Sequence, residues 1–248
     1  MTEEYRQRTI RSKLARMEIA RPEAAISTGF RTLDAVLGAG LPRGRIVEWF
    51  GPPSCGKTTL AIETVAHVQQ GGLVAAWIDA DRTFDAGYAA GLGVTLERLP
   101  VARPEAAEEA LEMAWQLLHS GAVDLLVVDS AAALTPSLEL GAGIGEGGYS
   151  LQGRVLTSGL RKLDFAVRRS GSSAIFLNQD RTQGDSGARE TETSAGGPAL
   201  KLYAQVRLAF QPEKGRRLRL RVLKNNAATG CQYGVLEWRE GAGLADPL

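Results

Sequence analysis

The chain has 248 residues, 44% of them hydrophobic, and a formal net charge of +1, which is enough for one large domain or a core with small appendages. No apolar run approaches the length of a membrane span, and the start of the chain is charged rather than signal-like. The two cysteines, Cys55 and Cys231, are too few for a disulfide framework and read as thiols of a cytoplasmic protein.

In chain order, residues 5–18 (YRQRTIRSKLARME) read as a basic, weakly amphipathic helix with Ile10, Leu14 and Met17 on one side, ended by Arg21-Pro22. Three roles are open to this arm: disorder, docking on a neighbouring subunit, or contact with DNA. Residues 26–45 follow, with Ser27 or Thr28 as a helix cap and a loop over 38–44. The next stretch, RIVEWFGPPSCGKTT at 45–59, passes from a β-branched and aromatic strand into a glycine-rich turn that fits G-x-x-x-x-G-K-[ST] through Gly51, Gly56, Lys57 and Thr58. Glycines at both ends permit backbone angles closed to other residues, so that successive N–H groups face phosphate oxygens. Lys57 supplies a charge near the β- and γ-phosphates, and the Thr58 hydroxyl is placed to ligate Mg²⁺. The helix that starts at Thr58 directs its positive end at the same oxygens.

Residues 73–80 (LVAAWIDA) form an apolar strand ending in Asp79, with Asp81, Asp85 and Tyr88 close behind, at the strand end where open α/β sheets bind ligands. A helix is expected over 106–119, then a second buried strand, VDLLVVD at 123–129, whose closing Asp129 has the form of a Mg²⁺-holding Walker B element. Residues 141–149 (GAGIGEGGY) are a glycine-rich loop, 151–169 a helix, and 173–179 (SAIFLNQ) a third buried strand ending in two amides. Residues 180–197 are polar and read as structureless, a length that inside a compact domain points to function. Three antiparallel strands are expected over 205–210, 217–224 and 232–238.

Alternation of strands and helices after an early phosphate loop argues for an α/β fold with a parallel or mixed sheet covered on both faces, and for a P-loop nucleotide hydrolase. Residues 201–224 carry eight lysines and arginines against Glu213 alone, which suits either a phosphate backbone or the solvated face of a ribbon in which Arg217, Arg219 and Arg221 alternate with Leu218, Leu220 and Val222. His67 and His119 have no paired ligands and read as packing residues, as do Trp49, Trp77 and Trp115; the role of Trp238 is open. Glu105, Glu108, Glu109 and Glu112 read as the solvated face of a helix.

The phrases ISTGFRTLDAVLGAGLPRGRIVEWFGPPSCGKTT, WIDADRTFDAGYAAGLGV, SGAVDLLVVDSAAALTP, RKL, FLNQ and GGPALKLYAQVRL follow one another from about residue 26 to 225 in an order that resembles the bacterial RecA recombinase family. The resemblance implies a P-loop NTPase of RecA type: a central, mostly parallel, twisted sheet flanked by helices, with an antiparallel C-terminal extension. It divides the chain into a basic arm (1–25) and an ATPase core (26–248). It implies a DNA-dependent ATPase that coats single-stranded DNA as a filament in recombination and repair, with ATP and Mg²⁺ as cofactors. On that likeness Gly51, Pro52, Pro53, Ser54, Cys55, Gly56, Lys57, Thr58 and Thr59 form the phosphate loop, Thr58 and Asp129 the metal site, and Asp85 and Tyr88 the adenine contacts. Gln179 matches a glutamine that senses the γ-phosphate, and Lys224 a lysine that reaches a neighbour's nucleotide. The loops 141–149 and 180–197 match DNA-binding loops, bringing Tyr149, Arg154, Arg181, Arg189, Gly196 and Gly197 into the expected DNA contacts.

Departures from the pattern carry expectations of their own. Asp81 stands where the family has a glutamate that orients the attacking water, so its carboxylate is expected to fall roughly 1 Å short and hydrolysis to be slow. Asn226 replaces a second interface lysine, and the loop 180–197 has lost its large apolar members, so DNA binding should lean on Arg181 and Arg189 and be more salt-sensitive. The arm is short and nothing after Leu248 matches the family's C-terminal domain, which bears on self-association into a filament or ring. Three functions follow: a recombinase, an accessory protein of repair that uses ATP as a switch beside a partner, or a P-loop ATPase acting on something other than DNA.

Overall fold

In a computed structural model of the chain, which describes residues 25–143, 150–181, 193–195 and 197–247, ten strands form one sheet. They are β1 (Arg45–Gly51), β2 (Ala75–Asp79), β3 (Val101–Ala102), β4 (Leu125–Asp129), β5 (Ser173–Arg181), β6 (Thr193–Ser194), β7 (Val206–Glu213), β8 (Arg217–Asn225), β9 (Tyr233–Arg239) and β10 (Gly243–Ala245). The order across the sheet is β10-β9-β8-β7-β1-β5-β4-β2-β3, with β6 beside β5. From β7 to β3 every neighbour is parallel, and β8, β9 and β10 extend the sheet antiparallel. Among the described residues seven α-helices accompany it: α1 (Arg31–Leu37), α2 (Lys57–Gln70), α3 (Ala86–Gly91), α4 (Ala107–Ser120), α5 (Ser137–Leu140), α6 (Ser150–Ser170) and α7 (Ala199–Tyr203).

Because side chains alternate across a strand and both faces here are covered, each central strand is apolar throughout yet feeds two separate cores. Val47, Trp49, Trp77, Val127, Ile175 and Leu177 face one side, packed with Leu33 and Leu37 of α1 and Leu60, Ile62 and Val65 of α2. Ile46, Ile78, Leu126, Val128 and Phe176 face the other, packed with Leu111 and Leu118 of α4 and Leu156, Leu160 and Leu163 of α6. All of these are at most 6% exposed, and truncating any one of the leucines to alanine is worth about 2–5 kcal/mol. One polar cluster interrupts this core. Glu48 of β1, fully buried, receives Arg207 Nε of β7 at 2.5 Å and Asn178 Nδ2 of β5 at 2.9 Å, while the guanidinium lies over the Phe50 ring.

The three late strands pair antiparallel in succession as expected, and the first of them, β7, is in addition parallel to β1, so it is the seam between the two parts of the sheet. Two expectations need correction. Ser27 and Thr28 do not cap α1; both hydroxyls donate to Asp34, and the first helical amides, of Arg31 and Thr32, donate to Asp246 from the far end of the chain. The stretch 180–197 is not structureless at its ends: Asp180 and Arg181 pair with Ser194 and Thr193 as an antiparallel ribbon. The arm before residue 25, residues 144–149 and residues 182–192 lie outside the described residues.

Candidate active site

The phosphate loop leaves the carboxyl end of β1, with β5 and β7 on either side, and runs straight into α2. Its two glycines serve different needs. Gly56 has φ 101°, a left-handed conformation, and a β-carbon there would lie 2.6 Å from Cζ2 of Trp238. Gly51 shows no positive φ, contrary to expectation; it is excluded from bearing a side chain by space, since a β-carbon would meet the Phe210 carbonyl oxygen at 2.5 Å. The unusual angle falls instead on Ser54, at φ 57°. Lys57, which opens α2 one residue earlier than the sequence suggested, donates to the carbonyls of Gly51 (3.0 Å) and Pro52 (2.7 Å). Its ammonium also lies 3.5 Å from Cys55 Sγ, so the Cys55 side chain faces the interior of the loop rather than standing apart from it. Burial pushes the Cys55 thiol up, and the adjacent Lys57 charge opposes that shift. Pro53 and Ser54 are exposed at the tip.

Two neighbouring parallel strands, β2 and β4, end in Asp79 and Asp129, and Asp81 follows two residues after β2. Thr58 Oγ1 donates to Asp129 Oδ2 at 2.9 Å, which places a hydroxyl and a carboxylate side by side. Burial pushes the Asp129 carboxyl up to about 6, with the Asp81 and Asp79 charges adding to the rise and the Thr58 bond opposing it. Ser130 Oγ donates to both oxygens of Asp81, at 3.1 Å each. Asp79, the direct register partner of Asp129 in the β2–β4 ladder, is fully buried and paired with Arg103 at 3.0 Å. A hydroxyl and an ionisable carboxylate at hydrogen-bond distance, beside a lysine and a helix N-terminus, suit a hard divalent cation bound together with a polyphosphate.

At the first turn of α2, Tyr88 OH is 3.0 Å from Thr59 Oγ1 in a residue that is 45% exposed, while Asp85 caps α3 by accepting the Tyr88 amide. Trp238 of β9 lies half-buried over Gly56. Sequence reasoning left Trp238 open because only the sheet order brings β9 over the loop.

Gln179 is exposed at the end of β5, in register with Gly51, and its carbonyl accepts the Ala195 amide, which links the loop after β5 directly to the phosphate loop's neighbour. Lys224 is engaged away from the loop, donating to the carbonyls of Lys201 and Leu202 at 3.2 Å each, and burial, followed by the Arg207 charge, lowers its pKa. Arg154 is exposed on α6, Arg181 ends β5, and Gly197 is exposed with φ 77° just before α7. Tyr149, Arg189 and Gly196 lie outside the described residues. The basic strip is less basic than its sequence: Arg217 pairs with Glu237, Arg219 with Glu213 and Arg216 with Glu240. His119 stacks on Trp115, with ring centroids 4.8 Å apart, as a packing residue.

A glycine loop between a central parallel strand and its helix, faced by an aspartate at the end of a neighbouring strand, defines a P-loop nucleotide-binding α/β protein. The chain belongs to the RecA N-terminal domain family, which it matches over residues 8–243. It is 43% identical over 230 residues to Protein RecA of Thermosynechococcus vestitus, covering 89% of this chain and 65% of that protein. It is 44% identical over 240 residues to Protein RecA of Arthrospira platensis (93% and 65%), and 46% identical over 232 residues to Protein RecA of Picosynechococcus sp. (90% and 67%). The chain thus spans about two thirds of the length of these relatives.

Proposed function

We propose that this chain is an ATP-dependent recombinase of RecA type that binds single-stranded DNA and acts in homologous recombination and DNA repair, with ATP hydrolysis slowed by Asp81. The observation that carries it is the convergence of Lys57, Thr58, Asp129 and Asp81 at the ends of three strands of one sheet, in a chain whose relatives are named RecA. Those names favour a recombinase over an accessory switch protein.

In this reading the amides of residues 51–59 receive the triphosphate, and Lys57 exchanges its carbonyl partners for phosphate oxygens. Thr58 and Asp129 would hold Mg²⁺, which supplies neutralisation of charge on the β- and γ-phosphates. Asp81, held by Ser130, orients the attacking water and accepts its proton. Asp85, Tyr88 and Trp238 border the base. Gln179 relays the presence of the γ-phosphate to the segment 180–197, which with Arg154, Arg181, Arg189, Gly196, Gly197 and Tyr149 contacts DNA. Lys224 serves the nucleotide of a neighbouring subunit, in a filament or ring. Residues 26–248 act as the ATPase core and residues 1–25 as its arm; a repair-protein partner and a cytoplasmic setting belong to the same proposal. Among the described residues no helix is long and apolar enough to cross a membrane.

The test is steady-state ATP hydrolysis by the purified chain with and without single-stranded DNA, followed by strand exchange. Stimulation by DNA with strand exchange is the expected result. Hydrolysis indifferent to DNA would remove the DNA-linked reading, and stimulation without exchange would remove the recombinase.

A further inference from the structure

We propose that the Asp79–Arg103 ion pair is a positioning device that sets where the Asp81 carboxylate stands, an inference that rests on the reading of Asp81 as the group that orients water. Between β2 and α3 the chain makes a tight turn, and both of its feet are pinned. At the near foot, the amides of Ala80 and Asp81 both donate to the Asp129 carbonyl, at 2.7 and 3.1 Å. At the far foot, the amides of Thr83 and Phe84 donate to Asp79 Oδ1, at 2.9 and 3.3 Å. Arg82, between them, has φ 56°. The other oxygen of Asp79 takes Arg103 Nε at 3.0 Å, and an Arg103 terminal nitrogen reaches the Phe84 carbonyl at 3.4 Å.

The Asp79 carboxylate is fully buried, near the Asp129 carboxylate and two residues from Asp81. Without Arg103 the buried carboxylate loses its counter-ion in a site already rich in negative charge, and the Phe84 carbonyl loses the bond from the Arg103 terminal nitrogen. A carboxylate no longer anchored through its second oxygen is free to turn away from the Thr83 and Phe84 amides, and the far foot of the turn is released. Asp81 is more sensitive to that release than a glutamate would be, because its side chain has one torsion fewer with which to restore its reach.

The experiment compares Arg103→Gln, Arg103→Lys and Asp81→Ala with wild type in the full chain, reading kcat, nucleotide Kd by titration with a non-hydrolysable ATP analogue, and hydrogen exchange at the Thr83 and Phe84 amides. Arg103→Gln is expected to lower kcat about tenfold with Kd within about twofold, and to speed exchange at both amides; Arg103→Lys recovers more than half of kcat. Arg103 is half-exposed on the surface side of the pair, so a melting curve reports whether the fold is kept in Arg103→Gln, and the double variant Asp79→Asn/Arg103→Gln, which retains an uncharged acceptor, is expected to recover kcat. Unchanged kcat and exchange in Arg103→Gln would overturn the proposal, as would a loss of kcat matched by an equal rise in Kd. A loss in Asp81→Ala without one in Arg103→Gln removes the positioning role alone, whereas full activity in Asp81→Ala removes the reading of Asp81 beneath it.

Discussion

Thr58 Oγ1 stands 2.9 Å from Asp129 Oδ2, joining the first turn of α2 to the end of β4. The pair supplies one neutral and one anionic oxygen at adjacent places, the donor set that a hard cation takes up. Thr58→Ser keeps the hydroxyl and is expected to hold ATPase activity within a few-fold of wild type. Thr58→Val keeps the shape and loses the oxygen, and its kcat is expected to fall by about a hundredfold. Steady-state hydrolysis at saturating ATP and Mg²⁺ checks both.

Lys57→Met removes the ammonium that the Gly51 and Pro52 carbonyls hold in the loop. Charge-assisted hydrogen bonds are worth about 1.5–3 kcal/mol each, so nucleotide Kd is expected to rise roughly tenfold to a hundredfold. Fluorescence titration with a labelled nucleotide measures it, and a Kd equal to wild type would remove Lys57 from phosphate binding.

Asp81→Glu adds the methylene that the site lacks. If Asp81 is held short of the attacking water, the longer side chain should raise kcat by about tenfold without altering KM. An absence of gain would mean that the backbone has already closed the gap.

How much of this could be read from the sequence follows from how far apart the interacting residues lie. The phosphate loop was legible because its chemistry is contiguous, from Gly51 to Thr59, and Asp79 and Asp129 because each closes an apolar strand. Glu48 and Arg207 are 159 residues apart, and nothing local marks either as a buried partner. Trp238 needed the sheet order to be placed over Gly56. The hairpin of β7 with β8 was legible because it is local, whereas the parallel ladder of β7 with β1 joins strands far apart in the chain. The partial neutralisation of the basic strip was not legible because Glu237 of β9 and Glu240 just after it lie beyond the strip in sequence. The helix α3, AGYAAG, is short and rich in glycine, with no apolar periodicity to reveal it.

Glu63 on α2 accepts the Leu244 amide of β10, and burial pushes its carboxyl up to about 7. Since the native pKa lies above the unfolded value, this group's stabilising contribution is complete below about pH 4.5 and is lost as pH rises through about 7. Glu63→Gln, which keeps an acceptor for Leu244, is therefore expected to melt at a higher temperature than wild type at pH 8, and the difference should vanish toward pH 4.5. Thermal melts across that range, without nucleotide, provide the check.

Arg207→Met strands the Glu48 carboxylate in the core beside Asn178. Breaking a buried pair from one side costs about 3–5 kcal/mol, whereas replacing both partners is often neutral. Denaturant unfolding should show a loss of that size in Arg207→Met and recovery of most of it in Glu48→Gln/Arg207→Met.

The place of β1 between β5 and β7 has a consequence for biosynthesis. A ribosome releases Arg45–Gly51 long before Ser173–Arg181 and Val206–Glu213 have been translated, so at about 5–20 residues per second this strand of the nascent chain waits on the order of ten seconds with both edges bare. During that interval the competing event is pairing with another unfinished copy on the same polysome. Yield in the cell should therefore depend on translation speed between residues 51 and 206 more than on the stability of the finished fold.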